Sequence, residues 1–403
     1  MRLLPEVNDR FWPEAGTAPA GETWMRYASL GTRTETEAMM RSNERKRVVV
    51  IGAGIVGASL AYHLASKGAH VTIVDANGIA SGVTQTSFAW INATQIPEDP
   101  IALLRSQAIM EYHRLEAEVS GLEVLWTGAL SYTSAALHAH KLGDGQTAQL
   151  VARAQISELE PGLRNPPEHA VHEPEQGALD AVAATHALVA AAVNHGANVL
   201  TGTKVVGFST TGRRTTGVET TAGWMEADVV VCAAGIGTLA LVQMLGATLP
   251  IKASPAIFIR YEAQPRFVQS IISGPDFEIR QGADGALLAA EDFLDDSLEN
   301  SPEALASRTA EAIRFHFDGI GPLRTEVACI GLRPIAADGL PVVGFLPSYT
   351  GFYVCTMHPG VTLAAVVGRL ASEEILGACE PAVLLPCRPE RFLQWQQKYL
   401  DGE

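Results

Sequence analysis

Basic charge is in short supply: 29 Lys and Arg stand against 44 Asp and Glu, a net charge of −15 at neutral pH. Such a surface repels phosphate backbones and anionic lipid, so no nucleic acid or acidic membrane partner is expected. Cysteine is scarce too. The five residues, Cys232, Cys329, Cys355, Cys379 and Cys387, are odd in number, far apart and free of any C-x-x-C pair. That argues against a disulfide scaffold and a zinc motif, and fits the reducing cytoplasm. No long hydrophobic run is unbroken. Residues 48–66 and 229–251 are uncharged and meet the length of a membrane span, about 18 residues, but the first carries Gly52, Gly54 and Gly57 and the second Gly235, Gly237, Gln243 and Pro250. Each reads as a buried strand, a glycine turn and a helix, so no membrane span is expected. Residues 1–47 have no apolar leader core and mix Arg2, Arg10, Arg26, Arg33 and Arg41 with Glu6, Asp9, Glu14, Glu22, Glu35 and Glu37. They read as a poorly ordered extension, or as sequence upstream of a true start at Met39 or Met40. The pair His138-x-His140 has no third ligand placed by sequence, so no metal is expected there and a solvated loop is.

What is present is a chain of 403 residues, 47% hydrophobic and 18% charged, long enough for two or three folded parts. Its 37 glycines exceed the usual share of about 7% and point to tight turns or close backbone approach to a ligand. That becomes specific after Arg47. Val48-Val49-Val50-Ile51 reads as a buried strand, Gly52-Ala53-Gly54-Ile55-Val56-Gly57 as a G-x-G-x-x-G turn opening a helix to Lys67, and Val71 to Asp75 as a second, parallel strand. In this setting the glycines permit the turn, the approach of pyrophosphate and close helix packing, while the helix N-terminus faces phosphate charge. Asp75 follows at the spacing of roughly 20 residues where an acid binds ribose hydroxyls. An adenine dinucleotide site is the result.

The third strand of a continuous nucleotide domain does not arrive on schedule. A Ser/Thr/Gly-rich loop (80–86), a helix over 101–119 with Ile101, Leu104, Ala108 and Leu115 on one face, and a polar region to Glu175 come first. Then follow an alanine-rich helix over 181–194, a strand at 198–200, a hairpin of 204–210 and 215–220 turning at Gly212, and a buried parallel strand from Val229 into Gly235. Residues 251–291 turn to β-type segments, and 351–356 with the helix from Gly360 to Leu376 return to the strand-and-helix pattern.

At this point the chain resembles the D-amino acid oxidase family of flavoproteins, which contains glycine oxidase and sarcosine oxidase. The resemblance runs from Arg47 to Phe392 on five ordered pieces: Asp75 with Ile79 to Trp90, Ala227-Asp228-Val229 to Gly235, Gly331-Leu332-Arg333-Pro334 with Asp338 to Gly344, Met357 to Ala364, and Arg388-Pro389-Glu390-Arg391-Phe392. It implies FAD. Gly52, Gly54, Gly57, the backbone of Ile55 and Val56, Asp75 and Ala76 would hold the AMP half, with Val205 touching adenine through its main chain. The family usually carries Glu where Asp75 stands, one methylene longer. Thr84, Ser87, Phe88, Ala89 and Gly235 would line pyrophosphate and flavin. Gly360, Val361 and Thr362 would aim a helix N-terminus at the flavin. The cysteine that attaches flavin covalently in sarcosine oxidase relatives would align with Gly331, and Cys329 is two residues away, so noncovalent FAD is expected.

The same resemblance implies that Arg333 grips a substrate carboxylate through its planar donor fork, the alternative being a salt bridge. His358 matches a histidine near the flavin, either catalytic or merely packed. Trp90 would shape the substrate pocket or sit in the core. Strand alternation puts Glu278 and Arg280 on one face, where Glu278 either forms an acidic pocket wall, suited to a second substrate amine, or pairs with Arg280.

The expected fold is α/β, a Rossmann-type FAD-binding domain (47–100, 178–250 and 325–380) with a mainly antiparallel β substrate-binding domain (101–177 and 251–324) and a tail from 381 to 403. The expected reaction is dehydrogenation of a small amino acid or N-substituted glycine by hydride transfer to flavin N5. The alternatives are oxidation of a 2-hydroxy acid, with His358 as base, and a flavin-binding subunit without turnover. A small-molecule amine or amino acid is the expected partner.

Overall fold

The computed structural model describes residues 45–92, 99–142 and 148–393. The expectations for residues 1–44, and for the tail beyond Leu393, lie outside the described residues.

Four consecutive β-branched residues over 48–51 are buried on both faces, so this strand must lie inside a sheet covered on two sides. It does. A six-stranded sheet runs in the order Val342–Phe345, Phe352–Thr356, Val229–Cys232, Arg47–Ile51, His70–Val74, Asn198–Leu200, parallel throughout except for its first strand. The late third strand is Asn198–Leu200, delivered beside His70–Val74 after the long insertion. Helix Ile55–Ser66 packs against helices Gly360–Leu376 and Ala181–Asn194, and the Ser59 hydroxyl donates to the Ala364 carbonyl at 2.7 Å. The alanine-rich helix starts where an acid caps it: the Asp180 side chain accepts from the amides of Val182 and Ala183. The expected hairpin is present as Val205–Thr211 and Arg214–Thr220, extended by Gly223–Glu226. Helix Ala102–Glu118 buries Leu104, Ala108 and Leu115, with Ile101 just before it.

The region read as merely polar up to Glu175 is in fact structured. It contributes helices Ser134–Leu142 and Arg153–Leu159 and strands Ala129–Ser131, Gln149–Ala152 and His169–Glu173. These strands are short and half-polar, and register across a distant sheet, rather than local periodicity, fixes them. They complete an eight-stranded sheet in the order Thr325–Ala336, Ile251–Ala263, Ala286–Asp292, Glu278–Gln281, Ile271–Ser273, Ala129–Ser131, His169–Glu173, Gln149–Ala152. All its pairings are antiparallel except Ile271–Ser273 with Ala129–Ser131, where the two inserted segments meet. Thr325–Ala336, grouped by sequence with the nucleotide-binding segments, is the edge strand of this second sheet. One face of the sheet, with Ile257, Ile259, Tyr261, Ile279 and Leu287, packs with Leu305 and Ile313 of helix Pro302–His316. Its other face is turned to the site. Among the described residues no helix is long and apolar enough to cross a membrane.

Candidate functional site

The turn after the first strand is built on missing side chains. Gly52 adopts φ +105°, and a Cβ there would lie 2.4 Å from the Ala233 carbonyl oxygen. At Gly57 it would lie 2.0 Å from the Gly52 carbonyl oxygen. Only glycine lets helix Ile55–Ser66 begin this close to two strand ends. The Asp75 carboxylate, at the end of the next strand, accepts from the amides of Ala53 and Asn77, each at 2.8 Å. The acid thereby stiffens the turn it faces. The Ile55 amide donates to Thr84 Oγ1 at 3.2 Å, so the next amide, Val56, is the first with neither a side-chain acceptor nor a carbonyl inside the helix.

These groups open into one cavity of about 1350 Å³. Gly52, Gly54, Ile55, Val56, Asp75, Ala76 and Val205 line one part of it; Thr84, Ser87, Phe88, Ala89, Gly235, Gly360, Val361 and Thr362 line another. Gly57 is not in its wall and acts through packing. Ala89 has φ 57°, and its amide donates to the Ser87 hydroxyl at 3.1 Å, which holds that turn. The Thr362 hydroxyl donates to the Trp90 carbonyl at 3.1 Å and accepts from the Asn92 amide at 3.2 Å, so toward the cavity this residue offers its backbone. A long cavity lined by a glycine turn, an acid and the N-termini of two helices fits a dinucleotide. A Cβ at Gly331 would lie 2.6 Å from Thr86 Oγ1, so no side chain is accommodated at the attachment position without displacing Thr86. Cys329 is absent from the cavity wall.

The remaining wall comes from the second sheet. Directly paired residues share a face, and the paired row Val171, Ser131, Ser273, Glu278, Ala290, Phe258 all line the cavity. Arg333 lies on the edge strand. Its Nε donates to the Ser254 carbonyl at 3.4 Å, and its Nη2 to Ser254 Oγ at 3.2 Å and the Pro255 carbonyl at 3.3 Å. The salt bridge considered as its alternative role is not among the ion pairs of the described residues. His358 also stands in the wall. Burial first, then Arg333 and Arg105, push its pKa down to about 4, so the imidazole is neutral at pH 7. Trp90 lines the cavity with its Nε1 donating to Gln176 Oε1 at 2.7 Å.

One alternative considered for Glu278 is corrected. Arg280 shares its face but does not pair with it; its Nε donates to the Phe88 carbonyl at 2.6 Å and its Nη2 to the Leu179 carbonyl at 2.9 Å. Those two carbonyls, brought near by the tertiary fold, compete successfully for a buried guanidinium. Glu278 is half-buried, and burial raises its pKa to about 7. The histidine pair is corrected as well: His138 and His140 lie on helix Ser134–Leu142, and His140 reaches the cavity wall. Among the described residues no cluster of His, Cys, Asp and Glu could hold a metal. No local motif signals Ser254, Gln176, Glu173 or Arg105, the last paired with Asp99 at 2.8 Å. Each reaches the site from a distant segment.

A family model for FAD-dependent oxidoreductases, the DAO family, matches residues 47–374. The chain is 25% identical over 356 residues to glycine oxidase of Pseudomonas aeruginosa, covering 84% of this chain and 96% of that protein. It is 28% identical over 410 residues to D-amino acid dehydrogenase of Cereibacter sphaeroides, covering 82% and 92%. The crystal structure of glycine oxidase from Bacillus cereus is similar in fold, with a TM-score of 0.74 at 22% identity, covering 84% of this chain and 97% of that one. A family match across both sheets, with a dinucleotide cradle between them, means that the chain belongs to the DAO family of FAD-dependent oxidoreductases.

Proposed function

We propose that this FAD-dependent oxidoreductase acts on CH–NH or CH–NH2 groups and dehydrogenates a small amino acid or N-substituted glycine at its C–N bond. The observation that carries the reading is Arg333, a guanidinium in the wall of the cofactor cavity that is braced by Ser254 and Pro255 and belongs to no ion pair among the described residues. A planar cationic fork left without an anion suits a carboxylate bound bidentately. The glycine oxidase and D-amino acid dehydrogenase named above support the same chemistry.

Bound FAD supplies the acceptor for the hydride of the substrate's α C–H. The chain supplies position. Arg333 would fix the carboxylate, while Trp90 and His358 line the same cavity, His358 as a neutral imidazole that adds no charge to it. Val205, Ala76 and Asp75 would hold the AMP half, and the first amides of helix Gly360–Leu376 would offer positive charge to the flavin. FAD is held noncovalently. We place the protein in the cytoplasm, on its five free cysteines.

The test is anaerobic mixing of the holoenzyme with amino acids, simple amines and 2-hydroxy acids. Flavin bleaching by an amino acid supports the reading. Bleaching by 2-hydroxy acids alone, or by none of the panel, overturns it, the latter in favour of a flavin-binding subunit without turnover. Repetition in air separates an oxidase from a dehydrogenase.

A further inference from the structure

We propose that Glu278 determines specificity: it binds a second, cationic group on the substrate, so the preferred class is an α-amino acid with an amine in its side chain. The inference rests on the amino acid reading above and goes further by naming the side chain.

Glu278 opens strand Glu278–Gln281 and is paired with Ser273 on one side and Ala290 on the other. The cavity wall thus runs from polar to apolar across the sheet: Ser131, Ser273 and Glu278, then Ala290 and Phe258. Arg333 sits on the edge strand, three strands away and four residues along from Cys329, which Phe258 and Ala290 join to the Glu278 row. Both side chains face the same cavity, so its substrate end has a cationic pole and an acidic pole.

The acidic pole has no ion-pair partner among the described residues. Glu278 is in no ion pair among the described residues, and the nearest candidate on its own face, Arg280, is engaged by the carbonyls of Phe88 and Leu179. The neighbouring acids Glu291 and Asp292 add negative charge rather than relieve it, and Arg333 offsets only part. Ser273 provides a hydrogen bond to the carboxylate. Glu173, buried, lines the same cavity. Burial first, then the charges of Asp292 and Glu291, disfavour the ionised carboxylate in this wall, and no ion-pair partner among the described residues offsets them. An ammonium group removes that cost and gains a charge-assisted hydrogen bond; a neutral or anionic side chain does neither.

The experiment compares kcat/KM of the holoenzyme for three α-amino acids matched in chain length, ending in an amine, a methyl group and a carboxylate. The wild type is expected to favour the amine at least tenfold over both others. In Glu278→Gln, which keeps shape and loses charge, the amine-to-methyl ratio should fall at least tenfold, through KM. Glu278→Lys should shift preference toward the carboxylate. FAD content and the spectral response to a simple carboxylate inhibitor, which report the cofactor site and the Arg333 site, establish that each variant is folded. A wild type that favours the methyl or carboxylate substrate, or a Gln variant with an unchanged ratio, overturns the inference while leaving the amino acid reading intact. Turnover of none of the three, together with no response to carboxylate inhibitors, fails the underlying reading and the inference with it.

Discussion

Arg333 is where the chemistry of a single residue carries most weight. Replacing it with Ala removes the proposed charge-assisted clamp on the substrate carboxylate, which should lower kcat/KM by about 2–4 kcal/mol, roughly tenfold to a thousandfold. Arg333→Lys should recover only part, because an ammonium keeps the charge and not the fork. Equal FAD content in both variants, with carboxylate-induced spectral changes lost in the Ala variant, is the accompanying check. Cofactor attachment is also a matter of one residue: with glycine at position 331, acid precipitation should release free FAD into the supernatant, and flavin retained by the precipitate would contradict this. The pH profile follows from two side chains. Glu278 has its pKa raised to about 7 and must be ionised to bind a cation, so kcat/KM for a side-chain amine should rise as pH climbs through about 7. Glu278→Gln should flatten that limb. His358, pushed down to about 4, should leave no inflection above about pH 5.

Elements meet in the glycine turn. The strand, turn and helix of residues 47–66 were legible because every signal was local: a β-branched run, three spaced glycines, and an apolar helix. Gly57→Ala would place a Cβ 2.0 Å from the Gly52 carbonyl oxygen and force the helix off the strand ends. Overpacking of this kind costs about 1–3 kcal/mol, which should appear as a lower melting temperature and weaker FAD retention. Gly78→Ala, with nothing within 4 Å, is the matched control and should change neither. The strands of residues 124–173 were illegible for the opposite reason. Ala129–Ser131 pairs with Ile271–Ser273 more than a hundred residues away, and three residues carry no periodicity of their own.

For the molecule as a whole, the cavity between the two sheets makes cofactor binding part of stability. Ligand at about 100 times its dissociation constant adds about 2.7 kcal/mol to unfolding, so thermal melts with and without added FAD should separate by several degrees; superimposable melts would show that FAD does not bind the native fold. By itself the sequence determined the glycine turn with its terminal acid and the family resemblance, and singled out Arg333, Trp90, His358 and Glu278 as candidates, because glycine spacing and short ordered motifs are carried by neighbouring residues. Only the tertiary structure decided how those residues are partnered. Arg280 shares a strand face with Glu278, yet the carbonyls of Phe88 and Leu179 claim it. Thr362 presents backbone rather than hydroxyl, since Trp90 and Asn92 lie against it. Hydrogen-bond partners are chosen among all groups the fold brings within about 3 Å, and most of those groups are distant in the chain.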